Sequence, residues 1–279
     1  MKKQLDNSNA AGIVLTAGER DNMMNEMPVL FVGHGSPMNA IEGNRFSDYW
    51  KLLGEEIPRP KVILSVSAHW YTSGLRVTDA PSPKMVYDMY GFPEELYQIV
   101  YNAPGSPDFA HLTEKLIGGD IKIDNSWGLD HGSWSVLCHM YPKADIPVFQ
   151  LSVDRLAPAA ECYEIGKRLR SLREQGVLIF GSGNVVHNLY RTDWSMEKAG
   201  YPWAHEFDDY IKESILDHKL ERVINYSGAG ASSALAFSTM DHFAPLLYVL
   251  GASNQGDRIR VFNNSCVLGS LSMTGYLFE

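Results

Sequence analysis

Residues Pro28–Ile41 read PVLFVGHGSPMNAI. The apolar run Val29–Val32 halts at Gly33-His34-Gly35-Ser36-Pro37. A short apolar run bounded by Gly and Pro reads as a strand buried on both faces. The glycines flanking His34 allow backbone angles that a Cβ forbids, so the chain can turn sharply there. The imidazole is thereby presented at the carboxyl end of a central strand, where open α/β sheets hold their ligands.

Similar strands recur outward from this one. Lys61–Ala68 (KVILSVSA) is apolar and β-branched and runs into His69-Trp70. Pro147–Val153 (PVFQLSV) is a third strand, and Val177–Phe180 a fourth, leading into Gly181-Ser182-Gly183-Asn184-Val185-Val186-His187. Val261–Leu268 reads as the final strand. Between them, helical spacing covers residues 46–53, 108–117, 159–174, 204–219 and 240–250. Strands alternating with helices predict an α/β fold: a single three-layer α/β/α domain with a mixed, mostly parallel central sheet. No repeat or linker divides it. Residues 1–26 lack periodicity and read as a loosely ordered N-terminal extension, leaving 27–279 as the domain. Residues 84–107 are aromatic and without regular pattern. Such an insertion either lines a site or packs its rings on the domain.

The 279 residues carry 33 acidic and 24 basic side chains, a net charge of −9. That balance argues against duplex nucleic acid or an anionic membrane as the main partner, because both demand clustered positive charge. Cys138, Cys162 and Cys266 are far apart and form no CxxC pair. A disulfide framework or thiolate zinc site is therefore not expected, and a reducing cytoplasm fits best. No apolar run approaches the length of a bilayer span.

The nine histidines divide into two groups. His111, His139, His205 and His218 sit in helical patterns beside polar neighbours and read as surface or supporting residues. His34, His69 and His187 each follow a predicted buried strand, His131 lies in a Gly-flanked loop, and His242 opens a helix. Strand ends of one sheet point into one crevice, so these rings can converge on a nitrogen-rich metal site. His187 suits either a ligand or a base, since imidazole titrates near neutral pH.

The motifs GHGSPM (33–38), SAHW (67–70), LDHGSW (129–134), GSGNVVHNL (181–189) and DHFAPLLY (241–248) resemble those of the class III extradiol ring-cleavage dioxygenases. The likeness is greatest to the DOPA 4,5-dioxygenase branch and runs in order from Met27 to Glu279. It implies a catalytic domain that opens a catechol, L-DOPA or similar, with O₂ to a muconic semialdehyde. It also implies that His34, His69 and His242 are metal ligands, His187 an acid/base or fourth ligand, and His131 a substrate contact. The wider superfamily usually supplies a glutamate as third ligand, where this chain offers His242. The ion would be Fe(II) for ring cleavage or Zn(II) as the bound metal. Two alternatives share the GHGS-after-strand pattern or the ligands: a tetrapyrrole metal chelatase-like protein, and a non-enzymatic zinc-binding protein on the same fold.

Overall fold

The computed structural model describes residues 26–279. The expected extension thus lies outside the described residues, apart from Glu26, whose carboxylate accepts a hydrogen bond from the Asn254 side chain. The strands are β1 (Val29–Gly33), β2 (Val62–Thr72), β3 (Arg76–Val77), β4 (Lys122–Ile123), β5 (Val148–Asp154), β6 (Val177–Gly183), β7 (Ile259–Phe262), β8 (Cys266–Val267), β9 (Leu271–Ser272) and β10 (Gly275–Phe278). Eight of them form one sheet in the order β4-β3-β5-β2-β6-β1-β10-β7, while β8 and β9 pair separately. The central run β5-β2-β6-β1 is parallel throughout, and β10 and β7 add an antiparallel edge.

Alternation along the strands sends side chains to two cores. Leu30, Val32, Ile63, Leu178 and Phe180 face helices α1 (Arg45–Glu56) and α3 (His131–Met140), through Trp50, Leu53, Trp134 and Leu137. Val29, Phe31, Leu64, Val66 and Ile179 face the other side. There α2 (Pro107–Ile117), α4 (Ala159–Leu169), α5 (Pro202–Leu216) and α6 (Ala244–Ala252) pack over them. The predicted three layers and mostly parallel sheet are what the chain forms.

Several boundaries differ from the sequence reading. The second strand does not end before His69. It continues to Thr72, with a register shift between Val66 and Tyr71 that lets pairing resume at Tyr71–Val153. His131 is not in a loop. It is the first residue of α3, because the Asp130 carboxylate accepts the Ser133 backbone N–H and caps the helix. Val261–Leu268 is not one strand. Asn263 takes a left-handed backbone (φ 49°) that breaks it, and the strand beside β1 is the later Gly275–Phe278. Among the described residues no helix is long and apolar enough to cross a membrane.

Candidate metal centre

His34 follows β1 directly, and its backbone N–H donates to the Gly183 carbonyl at the end of β6. The two expected glycines do different jobs. Gly35 has φ +63°, the left-handed turn that releases the chain from the strand. At Gly33 the need is for space, since a Cβ there would stand 2.7 Å from the Met273 backbone. His69 projects from the irregular part of β2 and His131 from the first turn of α3. His187 is held by its backbone N–H to the Ala236 carbonyl, and His242 lies in the turn before α6.

These five rings meet in one cluster. Ring centres are 5.0 Å apart for His34–His69, 5.3 Å for His34–His242 and 5.0 Å for His69–His242. His69 and His131 are closer, at 3.9 Å, and His187 stacks flat on His242 at 3.4 Å with 4° between planes. One nitrogen from each of His34, His69 and His131 falls within 4.8 Å of the other two. His34, His131 and His242 are buried, while His69 is partly open. His111, His139, His205 and His218 are not among these rings.

Hydrogen bonds fix what several rings offer. The Ser182 hydroxyl donates to the Gly132 carbonyl at 2.5 Å, so toward His34 Nδ1, 3.0 Å away, its oxygen is an acceptor. The Asp88 carboxylate accepts from His131 Nδ1 at 3.0 Å, and its other oxygen lies 2.9 Å from His69 Nδ1, a contact that requires a proton on that nitrogen. The Nε2 atoms of His34 and His69 therefore turn lone pairs toward each other across 3.1 Å. Facing lone pairs repel, and a cation between them relieves the repulsion. Both nitrogens of His242 are buried without a hydrogen bond, because the Asp241 carboxylate, 3.2 Å from Nδ1, lies out of line with it. A donor set of neutral imidazoles with an unpartnered member fits a divalent ion.

The electrostatics favour the neutral form at His34, His187 and His242 and oppose it at His69. Burial and neighbouring imidazoles push His34 well below the ordinary histidine range, and burial with His242 beside it does the same to His187. Burial likewise lowers His242. His69 runs the other way: burial opposes its charge, but the Asp88 hydrogen bond and the fields of nearby aspartates outweigh it and raise the ring. Burial works against the charge of Asp88 too, yet its hydrogen bonds from His131 and His69 hold it well below the usual carboxylate range.

Beneath the rings, Asp130 accepts from Ser67 Oγ at 2.6 Å and Trp127 Nε1 at 3.0 Å, and also from Gln150. This network ties β2, β5 and the start of α3 into one floor. Sequence reasoning passed over Asp88 and Ser182. Asp88 lies in the aromatic stretch without a period. The available signal was chemical, since a histidine held for a metal usually gives its other N–H to a carboxylate or carbonyl.

Residues 29–277 match the model of a family described as the catalytic LigB subunit of aromatic ring-opening dioxygenase. The chain is 44% identical to the 4,5-DOPA dioxygenase extradiol of Escherichia coli K12, over 88% of this chain and 93% of that one. It is 35% identical to the enzyme of the same name from Beta vulgaris, over 94% and 98%. A crystal structure of an uncharacterized Escherichia coli K12 protein superposes with a TM-score of 0.80 at 40% identity, covering 91% of this chain and all of that one.

Proposed function

The chain belongs to the LigB family of aromatic ring-opening dioxygenases and is an extradiol enzyme, and on that premise we propose that it opens L-DOPA or a similar catechol. That the relatives are 4,5-DOPA dioxygenases supports a substrate with a short polar side chain. The family match does not favour the chelatase and scaffold alternatives.

We assign His34, His69 and His242 as the ligands of one divalent ion. Imidazoles on one metal, with bonds near 2.1 Å and angles of about 90–110°, hold their ring centres roughly 4.6–5.3 Å apart. The three centres of this trio are 5.0, 5.3 and 5.0 Å apart, and that observation carries the assignment. Nearness of nitrogens alone would pick His131 over His242. The ring centres weigh more, because His69 and His131 at 3.9 Å crowd too closely to share an ion. The buried, unpartnered nitrogens of His242 weigh the same way. By the same measure His187, flat on His242 at 3.4 Å, suits a base better than a fourth ligand.

An Fe(II) ion in this trio would supply the redox chemistry that joins catechol and O₂, with both oxygen atoms ending in the muconic semialdehyde. The chain's own part is proton handling and charge. His187, kept neutral by burial, takes a proton from a catechol hydroxyl. His131, whose Nδ1–H donates a hydrogen bond to Asp88, presents the Nε2 lone pair to the substrate's oxygens as they gain and lose protons. Asp130 and its partners keep the floor rigid while this happens.

The test is anaerobic reconstitution with Fe(II), then air and L-DOPA. A yellow ring-opened product should appear with one O₂ consumed per catechol. Zinc has no redox chemistry, so equal rates with zinc and iron would refute the reading.

A further inference from the structure

We propose that Asp88 is a positioning residue that fixes the tautomers of His69 and His131 together, coupling a metal-binding ring to a substrate-facing one through a single carboxylate. The inference rests on the ligand assignment above only for its consequence at the metal. The tautomers themselves follow from the two contacts that Asp88 makes, a hydrogen bond from His131 Nδ1 and a close approach to His69 Nδ1.

The two oxygens of Asp88 have unequal duties. Oδ1 accepts two protons, from the His131 backbone N–H at 3.0 Å and from His131 Nδ1 at 3.0 Å. Oδ2 faces His69 Nδ1 at 2.9 Å. A carboxylate offers acceptors only, so both rings must carry their proton on Nδ1 and turn Nε2 lone pairs inward. Asp88 is largely shielded, with 11% of its side chain exposed, so water does not readily take over either contact. Nothing in the floor around Asp130 duplicates this task, since Asp130 bonds hydroxyls, an indole and an amide rather than imidazoles.

The asymmetry makes a pointed prediction for Asp88→Asn, which keeps the shape and replaces one acceptor by a donor. The backbone N–H of His131 cannot change its chemistry, so the amide oxygen stays at the Oδ1 position. The NH₂ group then faces His69 Nδ1, which must become an acceptor. His69 should therefore move its proton to Nε2, toward His34, while His131 keeps its Nδ1 proton. Partners of this kind typically carry a 10–100-fold effect on metal affinity.

The decisive measurement is long-range ¹H–¹⁵N correlation on the metal-free full-length protein, at a pH where the rings are neutral, with His69→Gln and His131→Gln used for assignment. Wild type should show both rings as Nδ1–H, and Asp88→Asn should switch His69 alone. Asp88→Glu, which keeps two acceptors, should restore the wild-type tautomer at His69. Metal affinity, read by titration with Zn(II), should fall 10–100-fold in Asp88→Asn and largely recover in Asp88→Glu. An unchanged His69 tautomer in Asp88→Asn, or Nε2–H rings in wild type, would overturn the proposal. A His69 switch with unaltered metal affinity would uphold the role of Asp88 and instead overturn His69 as a ligand.

Discussion

Two pairs of imidazoles face each other across the centre, and they are held in opposite ways. His69 and His131 share Asp88, so each has a protein partner on one nitrogen. His187 and His242 are stacked on each other, and His242 has no hydrogen bond on either nitrogen. Their acid–base behaviour divides as well: Asp88 and the aspartate fields raise His69, whereas burial lowers both members of the stacked pair. One pair is oriented by the protein in advance. The other is kept neutral and, at His242, left for a guest to complete.

The sharpest way to break this comparison is to remove a ligand, either His242 from the stacked pair or His34, which belongs to neither pair. His242→Ala and His34→Ala should each lose bound metal and ring-opening activity together, whereas His131→Ala should keep its metal. Metal content and O₂ uptake on the same purified samples decide it, and a metal-replete His242→Ala would undo the trio. Within the stacked pair the members should then separate. His187→Ala should retain most of its metal and lose roughly 10²–10⁴-fold in rate, the worth of a positioned proton acceptor. If it loses metal as completely as His34→Ala does, the base assignment is wrong.

A smaller effect concerns stability. Metal at about 100 times its dissociation constant should stabilise the fold by about 2.7 kcal/mol. That shift, read by thermal unfolding, should persist in His131→Ala and vanish in His242→Ala. Smallest is the pH dependence, where the two pairs should give separate limbs. A proton on His69 must leave before metal binds, so apparent affinity should rise with pH until the ring's raised pKa is passed, by about tenfold per unit. His187 titrates below the ordinary histidine value, so the metal-saturated rate should hold as pH falls through about 6.5 and decline only beneath it. Coincident limbs would show that one group governs both.

The sequence carried the parts of this centre that depend on local pattern. Continuous apolar runs marked β1, β2, β5 and β6, because strands buried on both faces need no polar alternation. The halting of β1 and β6 at Gly-rich turns marked His34 and His187. What stayed hidden was set by distant partners. Asp88 gains its role only because residues 129–131 fold back beside it, with Met85 bridged to Leu129. His131 looked like a loop residue because the cap that starts its helix is a bond from the Ser133 backbone N–H to the Asp130 side chain. The strand Gly275–Phe278 is too short to declare itself, and its identity comes from lying against Val29–Phe31.

That last pairing also orders events during synthesis. Val29 lies opposite Phe278 and Phe31 opposite Tyr276, so the strand that carries His34 waits for almost the entire described chain before one of its two neighbours exists. Its other neighbour, β6, comes midway, and the turn with His242 comes later still. Contacts between such distant segments form slowly, since the intervening chain must be closed into a loop before they are rewarded. While a ribosome is still translating, the edge of β1 is open and the third imidazole is missing or unplaced. On the proposed ligand set, metal should load only once β10 has paired with β1, and a nascent chain stalled before Gly275 should hold none.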